Sequence, residues 1–241
     1  MPRFYCPSAL AEGALVDLPE ALVRHLQVLR MAPGDALDLF DGRGGVYRAT
    51  LASLDKKRAS ASIDAFAPGG VELPFALSLA QGLPEGGKMD WIVEKAVELG
   101  VAAIIPLAAQ RSVMKLSGER ADKRRAHWEG IVVAASEQCG RNTLASVAPV
   151  DTFERWIAAP SRVRRILLSP RATQSLAEWA AATAPHEMCI TIGPEGGFSE
   201  QEEALAIANG AVALSIGPRV LRTETAGLAA LAALSALWGG M

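Results

Sequence analysis

Two stretches near the end of this 241-residue chain share a pattern that few folds accept. The first is Ile190-Thr191-Ile192 followed by Gly193-Pro194-Glu195-Gly196-Gly197-Phe198-Ser199. The second is Leu214-Ser215-Ile216 followed by Gly217-Pro218-Arg219-Val220-Leu221-Arg222-Thr223-Glu224-Thr225-Ala226. Each reads as a short buried parallel strand that breaks at Gly-Pro into a tight loop and then feeds a helix. Strand–loop–helix units of this kind demand an α/β sheet covered by helices. Two neighbouring loops at the carboxyl ends of such strands form a crevice, the place where open α/β sheets bind ligands. Glycine there lets a ligand lie directly against backbone.

The rest of the chain divides at 67–70, Ala-Pro-Gly-Gly, the best linker candidate. Residues 1–70 read as a small β-rich domain. Short alternating runs at 36–40, 46–51 and 59–66 are joined by turn-like Asp41-Gly42-Arg43-Gly44-Gly45 and Asp55-Lys56-Lys57-Arg58. One helix interrupts them, opened by Pro19, with Leu22, Val23, Leu26 and Leu29 on its apolar face. Arg24, His25 and Arg30 project from it. Residues 71–241 change to strands alternating with helices. A strand around 75–79 precedes a helix marked by Met89, Ile92, Val93, Ala96, Val97 and Leu99, which Gly100 can end. A strand over 101–107, closed by Pro106, completes a βαβ unit. A long helix follows with Trp128, Ile131, Val132, Ala135 and Cys139 inward. Capping boxes open helices at Asp151–Glu154 and Ser199–Glu202. An alanine-rich helix spans 173–182. The last helix, 224–237, is apolar nearly all round, which predicts burial on every side, most simply at an interface between two copies.

Composition narrows the function. The net charge of −2 does not announce nucleic acid, but its distribution is uneven. Residues 111–171 hold twelve Lys/Arg against six Asp/Glu, whereas 172–241 hold two against seven. A basic middle suits a local phosphate-binding patch, although a solvated helix face would read the same. Arg120, Lys123, Arg124 and Arg125 crowd the first turns of the long helix against its dipole. Cys6, Cys139 and Cys189 have no metal spacing and read as free thiols of a reducing cytoplasm. The longest apolar stretch, 226–238, is shorter than the roughly 20 residues of a membrane span. No metal site and no membrane segment are expected.

The paired loops resemble those of the RsmE-type ribosomal RNA methyltransferases of the SPOUT class. The resemblance extends to His25-Leu26-Gln27-Val28-Leu29-Arg30 with Gly34-Asp35, to 95–101, Lys-Ala-Val-Glu-Leu-Gly-Val, and to Glu137-Gln138-Cys139-Gly140-Arg141-Asn142. It departs where the family usually has a lysine and this chain has Pro84. It implies a PUA-like β-barrel that grips RNA, then a parallel sheet with a C-terminal trefoil knot. It implies a homodimer that binds S-adenosylmethionine and methylates N3 of a uridine in small-subunit ribosomal RNA, free or in the 30S subunit.

That chemistry assigns candidate roles. S-adenosylmethionine needs an apolar slot, backbone groups for the adenine edge and polar contacts for ribose and amino-acid tail. Leu168, Ile192, Gly193, Pro194, Glu195, Gly196, Gly197, Ile216, Gly217, Pro218, Leu221, Arg222 and Thr225 are the candidates. A phosphate-binding loop fits less well: there is no Gly-Lys-Ser/Thr run and no G-x-G-x-x-G at the first βα turn. Methylation at N3 expels a proton and spreads negative charge onto the uracil oxygens, which a fixed guanidinium suits. Arg222 is the first candidate, with a loop-fixing salt bridge as its alternative; Arg141 and Arg111 come next, and Glu195 could orient either substrate. No residue stands out as the proton acceptor. Arg3, Arg24, His25, Arg30, Arg111, Lys115, Arg124 and Arg141 are the RNA-binding candidates. Three rivals remain: a related enzyme acting on another base or on transfer RNA, a non-catalytic ribosome factor, and a nucleotide-binding enzyme.

Overall fold

Alternating apolar residues build the first sheet. A computed structural model describes residues 1–241, and contacts divide the chain into two units. Unit one comprises residues 1–72 with 136–144; unit two comprises 73–135 with 145–241. In unit one, strands β1 (Arg3–Tyr5), β2 (Leu15–Asp17), β3 (Ala36–Phe40), β4 (Val46–Leu54) and β5 (Ala59–Ala67) form one sheet in the order β1-β3-β4-β5-β2. β1 and β2 are its edges. Register shifts at Arg48/Ala49 and Leu51/Ser53 bend the long β4–β5 pair, as bulges do. Helix α1 (Glu20–Val28) buries Leu22, Val23 and Leu26 with Leu37, Leu39, Leu51 and Ile63. Leu29, expected on that buried face, is the C-cap and is half exposed, because the helix ends one residue earlier.

Residues 136–144 belong to unit one because Arg3 holds them there. Its guanidinium donates to the carbonyls of Ser136 and Arg141 and to Asn142 Oδ1, and it stacks over Phe40. The Tyr5 amide donates to Glu137. Arg141 is buried and paired with Glu72, Nη2 to Oε2 at 2.7 Å. Removing one member of such a pair strands the other charge. Arg141→Ala is therefore expected to destabilise unit one by about 3 kcal/mol, read as a lower thermal midpoint.

In unit two, strands β6 (Leu77–Gly82), β7 (Ala103–Ala108), β8 (Ser146–Val147), β9 (Asp151–Thr152), β10 (Arg164–Leu168), β11 (Met188–Ile192) and β12 (Val212–Leu214) form a parallel sheet. The order is β12-β10-β11-β6-β7-β8, with β9 also pairing β7. Pro106 does not close β7 but lies within it. Its side of the strand faces the gap between the β8 pairing at Ala103–Ile104 and the β9 pairing at Leu107–Ala108, so no ladder bond needs its missing N–H. The helices are α2 (Lys88–Glu98), α3 (Gly118–Cys139), α4 (Phe153–Ala158), α5 (Leu176–Ala181), α6 (Glu200–Ala208) and α7 (Thr223–Leu237). Thr152, not Asp151, caps α4, because its hydroxyl accepts from the Arg155 amide. Ser175 caps α5, which starts three residues later than its alanines suggest. No helix is long and apolar enough to cross a membrane.

Helix α7 is buried on one side by its own chain. Leu228, Leu231 and Leu234 are buried within unit two, where α7 packs on α2, α5, β6 and β11. Its other face is half-buried at Ala229, Ala232 and Ala233 and exposed at Ala236 and Leu237. The chain therefore buries one face of this helix by itself.

Candidate active site

The carboxyl ends of β10, β11 and β12 open into one cavity of about 600 Å³ in unit two. The two Gly-Pro loops are not immediate neighbours. β10 lies between their strands, so its loop, Ser169–Arg171, makes a third wall, of which the sequence candidates included only the neighbouring Leu168. The strand before the second loop ends at Leu214, so Ser215 and Ile216 already belong to that loop.

The glycine loop is tight for identifiable reasons. The Gly197 amide donates to the Pro194 carbonyl at 2.8 Å, closing a four-residue turn. The chain then folds back so closely that a Cβ on Gly193 would lie 2.8 Å from backbone atoms of Gly197 and Phe198. Helix α6 begins with the predicted capping box: Ser199 Oγ accepts from the Glu202 amide, and Glu202 Oε2 accepts from the Ser199 amide. Glu202 is buried and its other oxygen accepts from the Gln110 amide. That contact seats Arg111, whose Nη1 donates to the Gly196 carbonyl at 2.8 Å. The next residue, Glu203, accepts from Ser169 Oγ and pairs with Arg171, fixing the β10 loop.

Glu195 lines the cavity, but its carboxylate faces a neighbour. It accepts from Lys88 Nζ and from the Glu85 amide, so it ties the loop before α2 to the glycine loop. Burial works against its charged form, but these hydrogen bonds outweigh that and hold its carboxyl below the ordinary glutamate range. A depressed folded value gives stability that is present above the ordinary carboxylate pKa and is lost as pH falls through the folded one. Ligand affinity is thus expected to stay flat from neutral pH into the ordinary glutamate range and fall only below it. Calorimetric titrations across that range check this.

Of the thirteen candidate ligand contacts, eleven line the cavity; Pro218 and Thr225 do not. Arg222 lines it as the N-cap residue of α7, exposed and without any ion pair, which removes the loop-fixing salt bridge as its role. Glu224 also lines it, and its Oε2 is buried with no hydrogen-bond partner. Arg141 does not line the cavity; its guanidinium is engaged by Glu72 in unit one. Arg3 is likewise engaged internally rather than offered to a partner. Arg24, His25 and Arg30 lie exposed on or beside α1, with His25 edge-on to Phe4. Arg30 is the one non-glycine residue at positive φ, 56°. Lys115 and Arg124 are exposed without ion pairs. No cluster of potential metal ligands is present.

A family model described as an RNA methyltransferase domain matches residues 71–235, and a second, an RNA methyltransferase PUA domain, matches 18–64. The chain belongs to the RNA methyltransferase family. Within it, the chain is 34% identical to ribosomal RNA small subunit methyltransferase E of Bacillus subtilis, over 88% of this chain and 86% of that one. A ribosomal RNA small subunit methyltransferase E from Neisseria gonorrhoeae, solved bound to S-adenosyl methionine, superposes with a TM-score of 0.91. It is 41% identical and covers 99% of this chain and 98% of its own. A Legionella pneumophila protein solved with bound SAM is 34% identical, with a TM-score of 0.90 and coverage of 98% and 97%. The methyltransferase domain of the family thus contains the whole cavity, and the PUA domain contains Arg24, His25 and Arg30.

Proposed function

We propose that the chain transfers the methyl group of S-adenosylmethionine to N3 of a uridine in small-subunit ribosomal RNA. The observation that carries this reading is the cavity itself, built from the two Gly-Pro loops in a chain whose relatives are named ribosomal RNA small subunit methyltransferase E, one of them solved with S-adenosyl methionine bound. The residues present fit the donor. A cavity of about 600 Å³ is within the range for small ligands. Leu168, Ile192, Ile216 and Leu221 supply apolar wall, and the glycine loop supplies backbone at close range. The partnerless Glu224 Oε2 is an acceptor awaiting a donor, and a cationic ligand carrying an ammonium group provides one. When bound, the sulfonium supplies an electrophilic methyl carbon. The loops hold and orient it and keep water away from the reacting atoms. Arg222 meets the charge that develops on the uracil oxygens as the N3 proton leaves. Arg111, Lys115 and Arg124 on unit two, and Arg24, His25 and Arg30 on unit one, hold RNA phosphates.

The finer parts of the reading are a cytoplasmic homodimer and a trefoil knot. The half-buried alanine face of α7, which ends in exposed Ala236 and Leu237, supports the first. Light scattering should give twice the chain mass of 25.3 kDa, and a monomer would refute it. The return of α7 onto β6 and β11, past the loop after β11, supports the second. A knotted chain pulled from both ends stops short of its full contour length.

Ribosomal RNA from cells lacking the protein tests the activity. Incubation with purified protein and the methyl donor should add one methyl group to a uridine and arrest reverse transcription there, because N3 is a pairing atom. Methylation of transfer RNA alone, or no donor binding by calorimetry, would replace this reading by one of its rivals.

A further inference from the structure

Gln81 is a primary amide with no exposed surface at the carboxyl end of β6, a position where a parallel strand ordinarily carries an aliphatic side chain. Its Nε2 donates to the Gly82 carbonyl at 2.9 Å and to Thr223 Oγ1 at 2.8 Å. Thr223 Oγ1 in turn donates to the Gly193 carbonyl at 2.6 Å. A carbonyl cannot donate, so Gly82 fixes which amide atom is the nitrogen. The single Thr223 proton must then point at Gly193. The result is a directional relay from the sheet, through the first turn of α7, to the glycine loop.

The relay joins the two loops that make the cavity. Gly193 and Thr223 both line it, and Thr223 directly follows Arg222. Gln81 itself does not line it. Beside the relay, α7 is pressed against the sheet: a Cβ on Gly227 would lie 3.0 Å from Leu79 Cδ1 and 3.3 Å from Ile192 Cγ1. The helix thus rests against a stop on one side and is tied to the glycine loop on the other.

Stability alone does not account for this amide. Gln81 Oε1 is buried and has no partner. An unsatisfied buried acceptor is costly, and an apolar side chain of the same shape would remove that cost. We infer that Gln81 is a positioning residue, acting through Thr223 to set the spacing of the two loops and hence the fit of the methyl donor. This rests on the methyltransferase reading of the cavity and names part of what makes that cavity selective.

The test uses the full chain with Gln81→Met, Thr223→Val, the double variant and Thr223→Ser. S-adenosylmethionine affinity is measured by calorimetry, the thermal midpoint without ligand, and kcat and KM with ribosomal RNA. Gln81→Met and Thr223→Val should each weaken donor affinity about tenfold and raise its KM, with little change in kcat. The double variant should be no worse than Thr223→Val, because the two residues act as one unit. Thr223→Ser should restore affinity. The midpoint of Gln81→Met should equal or exceed that of the parent. Parent-like affinity in Gln81→Met, or a loss of affinity that only tracks a loss of midpoint, overturns the relay. Parent protein that takes up no donor overturns instead the functional reading beneath it.

Discussion

Replacing Arg222 by alanine is expected to lower turnover by about 10²–10³-fold, the effect of removing one pre-positioned group that stabilises transition-state charge. Donor affinity and thermal midpoint should stay close to those of the parent. Three features of the site dictate this split. Arg222 lines the cavity, so its side chain is within reach of bound reactants. It makes no ion pair, so its removal strands no carboxylate. It occupies the N-cap position of α7 without a capping hydrogen bond from its side chain, so the helix start does not depend on it. Glu195 is the opposite case. It also lines the cavity, but its carboxylate is committed to Lys88 and the Glu85 amide. Its loss should raise KM for the donor rather than lower kcat. Arg222→Lys should recover only part of the rate, since a point charge does not reproduce a planar fork. Single-turnover rates with saturating donor measure the effect. A variant with the parent rate would show that the charge on the uracil is met elsewhere, with Arg219 the next guanidinium on the same wall.

How much of this could be read from the sequence depended on the range of the interactions concerned. The strand–loop–helix units, the capping box at Ser199–Glu202 and the turn glycines were legible because each is settled within a few residues. The carboxyl-end crevice followed from two such local signals. The β10 end entered it only as Leu168; that its loop stands between the other two was not legible, because strand order is a matter of pairing between distant segments: β10 sits between β11 and β12 although it precedes both. The arginines divide the same way. Arg141 and Arg3 look on paper like any basic residue offered to phosphate. Their engagement by Glu72, Ser136 and Asn142 depends on contacts spanning up to 139 positions. The Gln81–Thr223 relay spans 142. Which side of helix α7 its own chain covers was illegible for a related reason. An alanine–leucine helix has no polar face to orient it, so only the packed structure shows which side the sheet takes.

Gly193→Ala should abolish measurable donor binding, with a loss of at least about a hundredfold, and destabilise the fold by about 1–3 kcal/mol, the usual cost of overpacking. The added Cβ would meet the carbonyl carbon of Gly197 and the nitrogen of Phe198 at 2.8 Å. Those are backbone atoms, and no rotamer change can move them aside. Relief requires the turn closed by the Gly197 amide and the Pro194 carbonyl to open, and that turn shapes the cavity wall. Gly82→Ala meets the same obstacle from the other side, at 2.7 Å from the Pro194 nitrogen and ring, and should behave alike. Gly197→Ala is the control. Its φ is +66° with nothing within 4 Å of the new methyl, so the cost is only the left-handed backbone, roughly 1–2 kcal/mol. Donor affinity should fall far less there than at Gly193. Calorimetry paired with thermal melts separates the cases, because a fold of this size loses about 2–4 °C per kcal/mol. If Gly193→Ala bound the donor as tightly as Gly197→Ala, the close return of the loop on itself would not be what forms the pocket.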